Sequence, residues 1–294
     1  MAELEILIPT FGRKTGLAML LSSLLGQSYR AFDVIISDQT PEPETYIGSL
    51  EIQQAIRALR WRGHEVRVLR HIPRRGLAEH RQFLLEQSSA QYVQYLDDDL
   101  LLDRDVVERM MSVIQSEGCG FVGCPAVGLE FIEDVRPHEQ GIEPWQGPVR
   151  PEPFGEENIP WERHLVNNAA NPLHLERQLA PGGQPVRYHV AWVGGNVLYD
   201  REKLVDVGGF SFWPLLPGEH AGEEVVVQFL LLRYYGGCGV LPTGTYHLGL
   251  PTTIPNRQHN ATRLFGQLIR QYEQRKLSPG FAPIPAPAAA AGGS

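Results

Sequence analysis

Tyr92-Val93-Gln94-Tyr95-Leu96-Asp97-Asp98-Asp99-Leu100 is the stretch on which the reading of the chain turns. An apolar run of strand composition ends in three consecutive carboxylates. Adjacent anions repel one another and add nothing to a core, so a metal ion, hydrogen-bond donors or solvent must offset them. Taken alone, the run has a second meaning: a solvated acidic turn capping the helix that starts near Asp103, since Asp is a preferred turn and N-cap residue. The flanking pattern separates the two.

Upstream, residues 4–9 read as a buried strand that Pro9 ends. Leu17, Leu20, Leu21, Leu24 and Leu25 then share one face of a helix over 14–27. Residues 32–37 are a second strand, 44–60 a helix, 65–71 a third strand and 77–88 a helix. Residues 91–96 make the fourth strand. A helix over 103–117 and a strand over 120–124 follow. This alternation predicts an α/β fold, a mostly parallel central sheet flanked by helices on both faces. In such sheets ligands bind beyond the carboxyl ends of the strands. Thr10, Asp38 and Asp97 to Asp99 each follow such an end, so they should converge on one edge.

Residues 125–187 are rich in Pro, Gly, Glu and Asn and weakly periodic. They read as an insertion with short elements, a lid or acceptor-binding region, or else as a surface excursion. Residues 188–193 and 194–199 are strand-like. A short helix over 201–207, a helix opened by Gly222-Glu223-Glu224 and running to about Tyr235, a strand at Val240-Leu241 and a helix over 261–276 complete the pattern. The units are thus a nucleotide-binding half over 1–124, the insertion, and an acceptor and catalytic half over 188–277. The Pro/Ala/Gly-rich tail over 278–294 reads as disordered.

Composition bounds the function. Of 294 residues, 34 are acidic and 26 are Lys or Arg, a net charge of −8, which argues against a nucleic-acid partner. Three cysteines without a CxxC pair fit a reduced, cytoplasmic setting. No run is long and apolar enough to span a bilayer, which leaves peripheral attachment at the inner membrane face compatible.

Seven pieces, in order, carry a resemblance. Ile6-Leu7-Ile8-Pro9-Thr10-Phe11-Gly12-Arg13 resembles the opening I-I-P-T-Y-N-R of family 2 glycosyltransferases of the GT-A (Rossmann-like) fold. Ile35-Ile36-Ser37-Asp38-Gln39-Thr40 resembles their V-V-D-D-G-S, departing at Ser37 and Gln39. Arg75-Gly76-Leu77-Ala78-Glu79-His80-Arg81-Gln82 resembles N-x-G-x-x-x-A-R-N, keeping Gly and Arg. Leu96-Asp97-Asp98-Asp99 resembles their metal-binding D-x-D. Val193-Gly194-Gly195-Asn196, Val207-Gly208-Gly209-Phe210 and Gly222-Glu223-Glu224 resemble the acceptor-side G-G-N, G-G-F and G-E-D blocks.

The resemblance implies an inverting transfer of a sugar from a nucleotide diphosphate sugar, UDP- or dTDP-type, to a hydroxyl of a glycan, lipid-linked or small-molecule acceptor. It implies a divalent metal, Mn²⁺ or Mg²⁺, because the leaving diphosphate needs charge neutralisation. Asp99 would ligate it, with His247 and Asp97 as further ligands; Asp97 or Asp98 would otherwise hold the ribose or a metal-bound water. Asp38 would accept the N3–H of a pyrimidine. Pro9, Thr10, Arg13 and Arg81 would contact nucleotide. Trp192, Gly194, Gly195 and Asn196 would border sugar and acceptor. The attacking hydroxyl needs a base, and the resemblance offers Glu224, one methylene longer than the usual Asp, or Glu223. Two other functions compete: a degenerate member that binds without turnover, and a sugar-phosphate nucleotidyltransferase. The second would need a Gly-rich basic loop after the first strand, where Pro9-Thr10-Phe11-Gly12-Arg13 stands.

Overall fold

A computed structural model of the chain describes residues 2–179 and 184–277; the expected tail over 278–294 lies outside the described residues. Eight strands form the main sheet: β1 (Leu4–Thr10), β2 (Phe32–Asp38), β3 (Val66–Arg70), β4 (Tyr92–Leu96), β6 (Phe121–Gly123), β8 (Val186–Tyr188), β9 (Asn196–Asp200) and β10 (Gly237–Leu241). Their order is β3-β2-β1-β4-β9-β6-β10-β8. Strands β3, β2, β1 and β4 are mutually parallel. β9 is antiparallel to both β4 and β6, and β8 is antiparallel to β10. The sheet is therefore mostly parallel, as expected, with its reversals in the second half.

β1 is buried at all seven positions, the mark of a central parallel strand covered on both faces. Successive side chains point to opposite faces. Leu4, Ile6 and Ile8 join the core beneath α1 (Lys14–Leu25), α2 (Leu50–Trp61) and α4 (Val106–Glu117). Leu7, with Ile35, Val93 and Tyr95, faces the other core, built with α3 (Leu77–Gln87), α6 (Arg201–Asp206), α7 (Glu223–Tyr235) and α8 (Phe265–Leu277). Helix α7 is buried nearly all round, from Val225 to Leu232. That explains why its sequence shows an apolar run and no stripe.

Two expectations change. The helix expected from residue 103 begins at Val106, because Leu100–Leu102 form a strand, β5. It joins a small second sheet with β11 (Thr245–His247) and β7 (Val127–Gly128). Of the strand-like stretches over 188–193 and 194–199, the first is strand only to Tyr188 and the second only from Asn196, with residues 189–195 between them. At the break Gly195 has φ +82, and a Cβ there would lie 2.9 Å from that of Ala126. The carbonyl of Gly195 accepts the Asp97 N–H at 2.9 Å, so the break cradles the acidic run. The segment over 125–187 holds three short 3-10 turns and the short helix α5 (Asn171–Glu176) among its described residues.

Candidate functional site

The carboxyl ends of β1, β2 and β4 open onto one cleft of about 340 Å³. Its walls include Pro9, Thr10, Arg13, Arg81, Asp97, Asp98, Asp99, Trp192, Glu223, Glu224 and His247. Parallel strands in register bring these strand ends to one edge.

The acidic run divides its work. Asp98 turns back to the β1 loop: Thr10 Oγ1 donates to its Oδ2 at 2.6 Å and Arg13 Nη1 to its Oδ1 at 3.1 Å. Burial raises its carboxyl to about 6, against the pull of Thr10 and Arg13. Asp99 is fully buried. Its Oδ2 takes Arg13 Nη1 at 2.6 Å and lies 3.1 Å from His247 Nε2, while its Oδ1 has no partner. Asp97 faces Arg81, whose Nη2 donates to Oδ1 at 3.2 Å, and its side chain is 36% exposed.

Arg81 is the hub of the opposite wall. It projects from α3, with its guanidinium 5.4 Å from the centre of the Tyr95 ring, whose hydroxyl donates to the Arg81 carbonyl at 2.6 Å. Besides Asp97 it meets Glu223 Oε1 and Glu224 Oε2, each at 3.3 Å. One cation thus faces three carboxylates. Burial pushes the Glu224 carboxyl up to about 8; Arg81 opposes that rise, and Asp97 and Glu223 reinforce it. Both acids sit in the first turn of α7, where the helix dipole favours negative charge. Glu224 reaches toward the sheet break: a Cβ on Gly194 would stand 3.3 Å from its Oε1 and 3.0 Å from Trp192. Trp192 lines the cleft with its ring stacked on His164 at 4.1 Å.

A divalent cation is a fair test of this arrangement. Among the described residues no three His, Cys, Asp or Glu side chains gather as a metal cage. The expected trio is therefore not assembled, because Arg81 holds Asp97. Asp99 and His247 do meet, and the orphaned Asp99 Oδ1 is a buried acceptor without a donor. One carboxylate and one imidazole fit a hard cation whose remaining ligands are phosphate oxygens and water.

Four expected residues do not line the cleft: Gly194 and Gly195, which form the sheet break behind it, and Asp38 and Asn196. Both Asp38 oxygens are taken: Thr40 N–H donates to Oδ1 at 2.8 Å, and Thr45 Oγ1 (2.9 Å) and Arg70 Nη1 donate to Oδ2. Arg70 is Asp38's register partner on β3, so the pair forms across the sheet. Asn196 is fully buried, accepting from Gln94 Nε2 at 2.7 Å and donating to Thr245 Oγ1 at 2.9 Å. It fixes the sheet break from behind.

Other residues were given no role from the sequence. Gln39 is nearly buried on the cleft wall with its Nε2 unpartnered. The Arg74 guanidinium lies 4.1 Å over the Phe11 ring. Residues 250–257 close the cleft through Leu250, Thr252, Thr253, Ile254 and Arg257. The signal for this segment was present: Pro251-Thr252-Thr253-Ile254-Pro255 follows His247 at once. All three cysteines are buried and free.

The family model described as Glycosyl transferase family 2 matches residues 5–172, more than half of the chain. No curated protein matches the sequence. Among solved structures, TarS of S. aureus is 14% identical, with a TM-score of 0.51 over 95% of this chain and 40% of its own. TarS 1-349 in complex with UDP-GlcNAc is 15% identical, with a TM-score of 0.54 over 92% of this chain and 65% of its own. The mannosyltransferase PcManGT of Pyrobaculum calidifontis, in complex with GDP-Man and Mn2+, is 16% identical, with a TM-score of 0.51 over 96% of this chain and 66% of its own. The chain spans less than two thirds of the length of each. At this identity the likeness is one of fold, and that fold is GT-A.

Proposed function

The chain belongs to glycosyl transferase family 2, and on that premise we propose that it is a metal-dependent inverting glycosyltransferase using a nucleoside diphosphate sugar. The observation that carries this reading is the Asp99–His247 contact beside an unpaired buried carboxylate oxygen, facing Glu224 across one cleft. Asp99 and His247 would hold Mn²⁺ or Mg²⁺; the ion, when bound, supplies Lewis-acid neutralisation of the leaving diphosphate. Phe11, Gln39 and Arg74, which line the cleft, would border the base, and Thr10 and Asp98 brace the loop that follows β1.

Glu224 is the base in this reading. Its carboxylate borders Gly194 and Trp192 on the acceptor side. Glu223 is the more buried of the two, at 4% against 15% side-chain exposure. A carboxylate that takes the acceptor proton during direct displacement inverts the anomeric centre and needs no covalent intermediate. The developing positive charge on the sugar faces Asp97, Glu223 and Glu224, whose charges Arg81 only partly offsets. Trp192 would stack on an apolar sugar face. The acceptor hydroxyl belongs to a glycan, lipid-linked or small-molecule acceptor, reached inside the cytoplasm or at the inner membrane face. No helix of the described residues is long and apolar enough to cross a membrane.

Asp38 supplied the preference for uracil or thymine, and Arg70 now holds it, so the donor is settled by experiment. UDP-, dTDP- and GDP-sugars with Mn²⁺ are compared by thermal shift, then by release of nucleoside diphosphate with candidate acceptors. Turnover of one donor that needs Mn²⁺ or Mg²⁺ and Glu224 supports the reading. Binding with no turnover of any donor would instead mark a degenerate member.

A further inference from the structure

Arg13 lines the cleft, and its guanidinium is engaged there by protein groups. Its Nη1 lies between Asp98 Oδ1 and Asp99 Oδ2, at 3.1 and 2.6 Å. Its Nη2 donates to the carbonyl of Pro251 at 2.7 Å. One guanidinium thus bridges two acids and ties the 248–254 segment across the cleft.

The tie is incomplete in a telling way. Arg13 Nε and Asp99 Oδ1 are both buried without partners. A permanent structural ion pair of a fork and two carboxylates normally satisfies its donors and acceptors in full. Here one face of Asp99 is left to another ligand. The rest of the segment is pinned lightly. Leu248 N–H donates to the Asp99 carbonyl and Arg74 Nη2 to the Thr253 carbonyl. Thr252, Thr253 and Ile254 then lie over the cleft.

We propose that Arg13 is a resident cation that competes with the divalent metal for Asp98 and Asp99, and that its displacement unlatches the Pro251 segment. This rests on the metal reading of Asp99 and His247. A divalent ion entering at the open Oδ1 of Asp99 would meet the Arg13 charge already on Oδ2 of the same carboxylate, and the two cations repel. When the guanidinium leaves, the Pro251 carbonyl loses its donor and the segment loses its anchor on α1. The freed guanidinium, still rooted at residue 13, becomes available to phosphate oxygens entering with the metal. The resting site is thereby kept partly neutralised and covered until metal and nucleotide arrive together.

The test is Mn²⁺ binding without nucleotide, followed by electron paramagnetic resonance on the full chain. Hydrogen exchange of residues 248–254 is read in parallel. Wild type, Arg13→Gln and Arg13→Lys are compared, with Asp99→Asn added to the Arg13→Gln background. Arg13→Gln is expected to bind Mn²⁺ at least tenfold tighter than wild type, and Arg13→Lys less than that. Metal-free Arg13→Gln is expected to exchange at 248–254 as fast as Mn²⁺-saturated wild type. Asp99→Asn should abolish the gain. If wild type binds Mn²⁺ in the presence of UDP but Arg13→Gln gains nothing for Mn²⁺ alone, the competition is refuted and the metal reading stands. If no variant binds Mn²⁺ with or without UDP, both fall. A retained circular dichroism spectrum and melting transition in Arg13→Gln separates these outcomes from misfolding.

Discussion

Glu224 occupies a place where a carboxylate resists ionisation: buried, beside Asp97 and Glu223, with Arg81 shared among the three. A carboxylate takes up a proton only when ionised, hence above its pKa. With that value pushed up to about 8 by burial, kcat/KM should rise with pH through about 8 and level off above it. Glu224→Gln should lose about 10²- to 10⁴-fold in kcat, keep nucleotide affinity, and lose the rise. A profile that is flat from pH 6 to 9 in the wild type would assign the proton transfer elsewhere. At this scale the sequence was legible in types and less so in directions. Asp97, Asp99, Arg81 and Glu224 line the cleft, as their strand-end and helix-start positions suggest. Asp38 and Asn196 do not, because each found a neighbour across the sheet that no local spacing encodes. Gln39 was seen only as a departure from a motif, since a lone Gln in a turn has no pattern that marks a binding role.

Some of the contacts that join the elements lie at the edge of the sheet opposite the cleft. Glu5, near the start of β1, accepts from Ser88 Oγ at 2.5 Å, Ser89 N–H at 2.9 Å, Ala90 N–H at 3.1 Å and Arg67 Nη2 at 2.7 Å. Burial alone would raise its pKa; Ser88, the two N–H groups and Arg67 outweigh that and lower it. A depressed folded pKa means that the stability is present above the ordinary glutamate value and lost as pH falls through the folded one. Glu5→Gln should therefore cost about 1–3 kcal/mol at pH 7, with the gap to wild type closing below about pH 4. Urea melts at pH 7 and pH 3 read it. Gly16 sets how closely α1 approaches the acidic loop: an added Cβ would meet the Asp98 carbonyl at 2.6 Å. Gly16→Ala should cost about 1–3 kcal/mol by overpacking and weaken Mn²⁺–UDP binding by more than tenfold, since the clash falls on the acidic run itself. Helices and parallel strands were readable from apolar spacing. The reversal of β9 was not, because a short apolar strand carries no sign of its direction.

Across the whole molecule, the cleft draws on strand ends, the starts of α3 and α7, the sheet break and a segment near the C-terminal helix. That dispersion is why five of the seven scattered motifs meet at one cleft, while those over 193–196 and 207–210 contribute none of its lining. The segments over 125–187 and 248–260, of which only the second lines the cleft, were the least legible. They are short turns pinned by side chains, such as Asn171 Nδ2 to the Leu165 carbonyl at 3.2 Å, with no repeat to read. The central claim is that this cleft binds a nucleoside diphosphate through a metal held by Asp99. A ligand at one hundred times its dissociation constant adds about 2.7 kcal/mol of stability by mass action, so Mn²⁺ and UDP together should raise the melting temperature while neither alone does so fully. The most direct measurement is calorimetric titration of UDP into wild type and Asp99→Asn, with and without Mn²⁺. Binding that requires Mn²⁺ and is lost in Asp99→Asn is the predicted result. UDP binding of equal strength without metal, unchanged in Asp99→Asn, would contradict it.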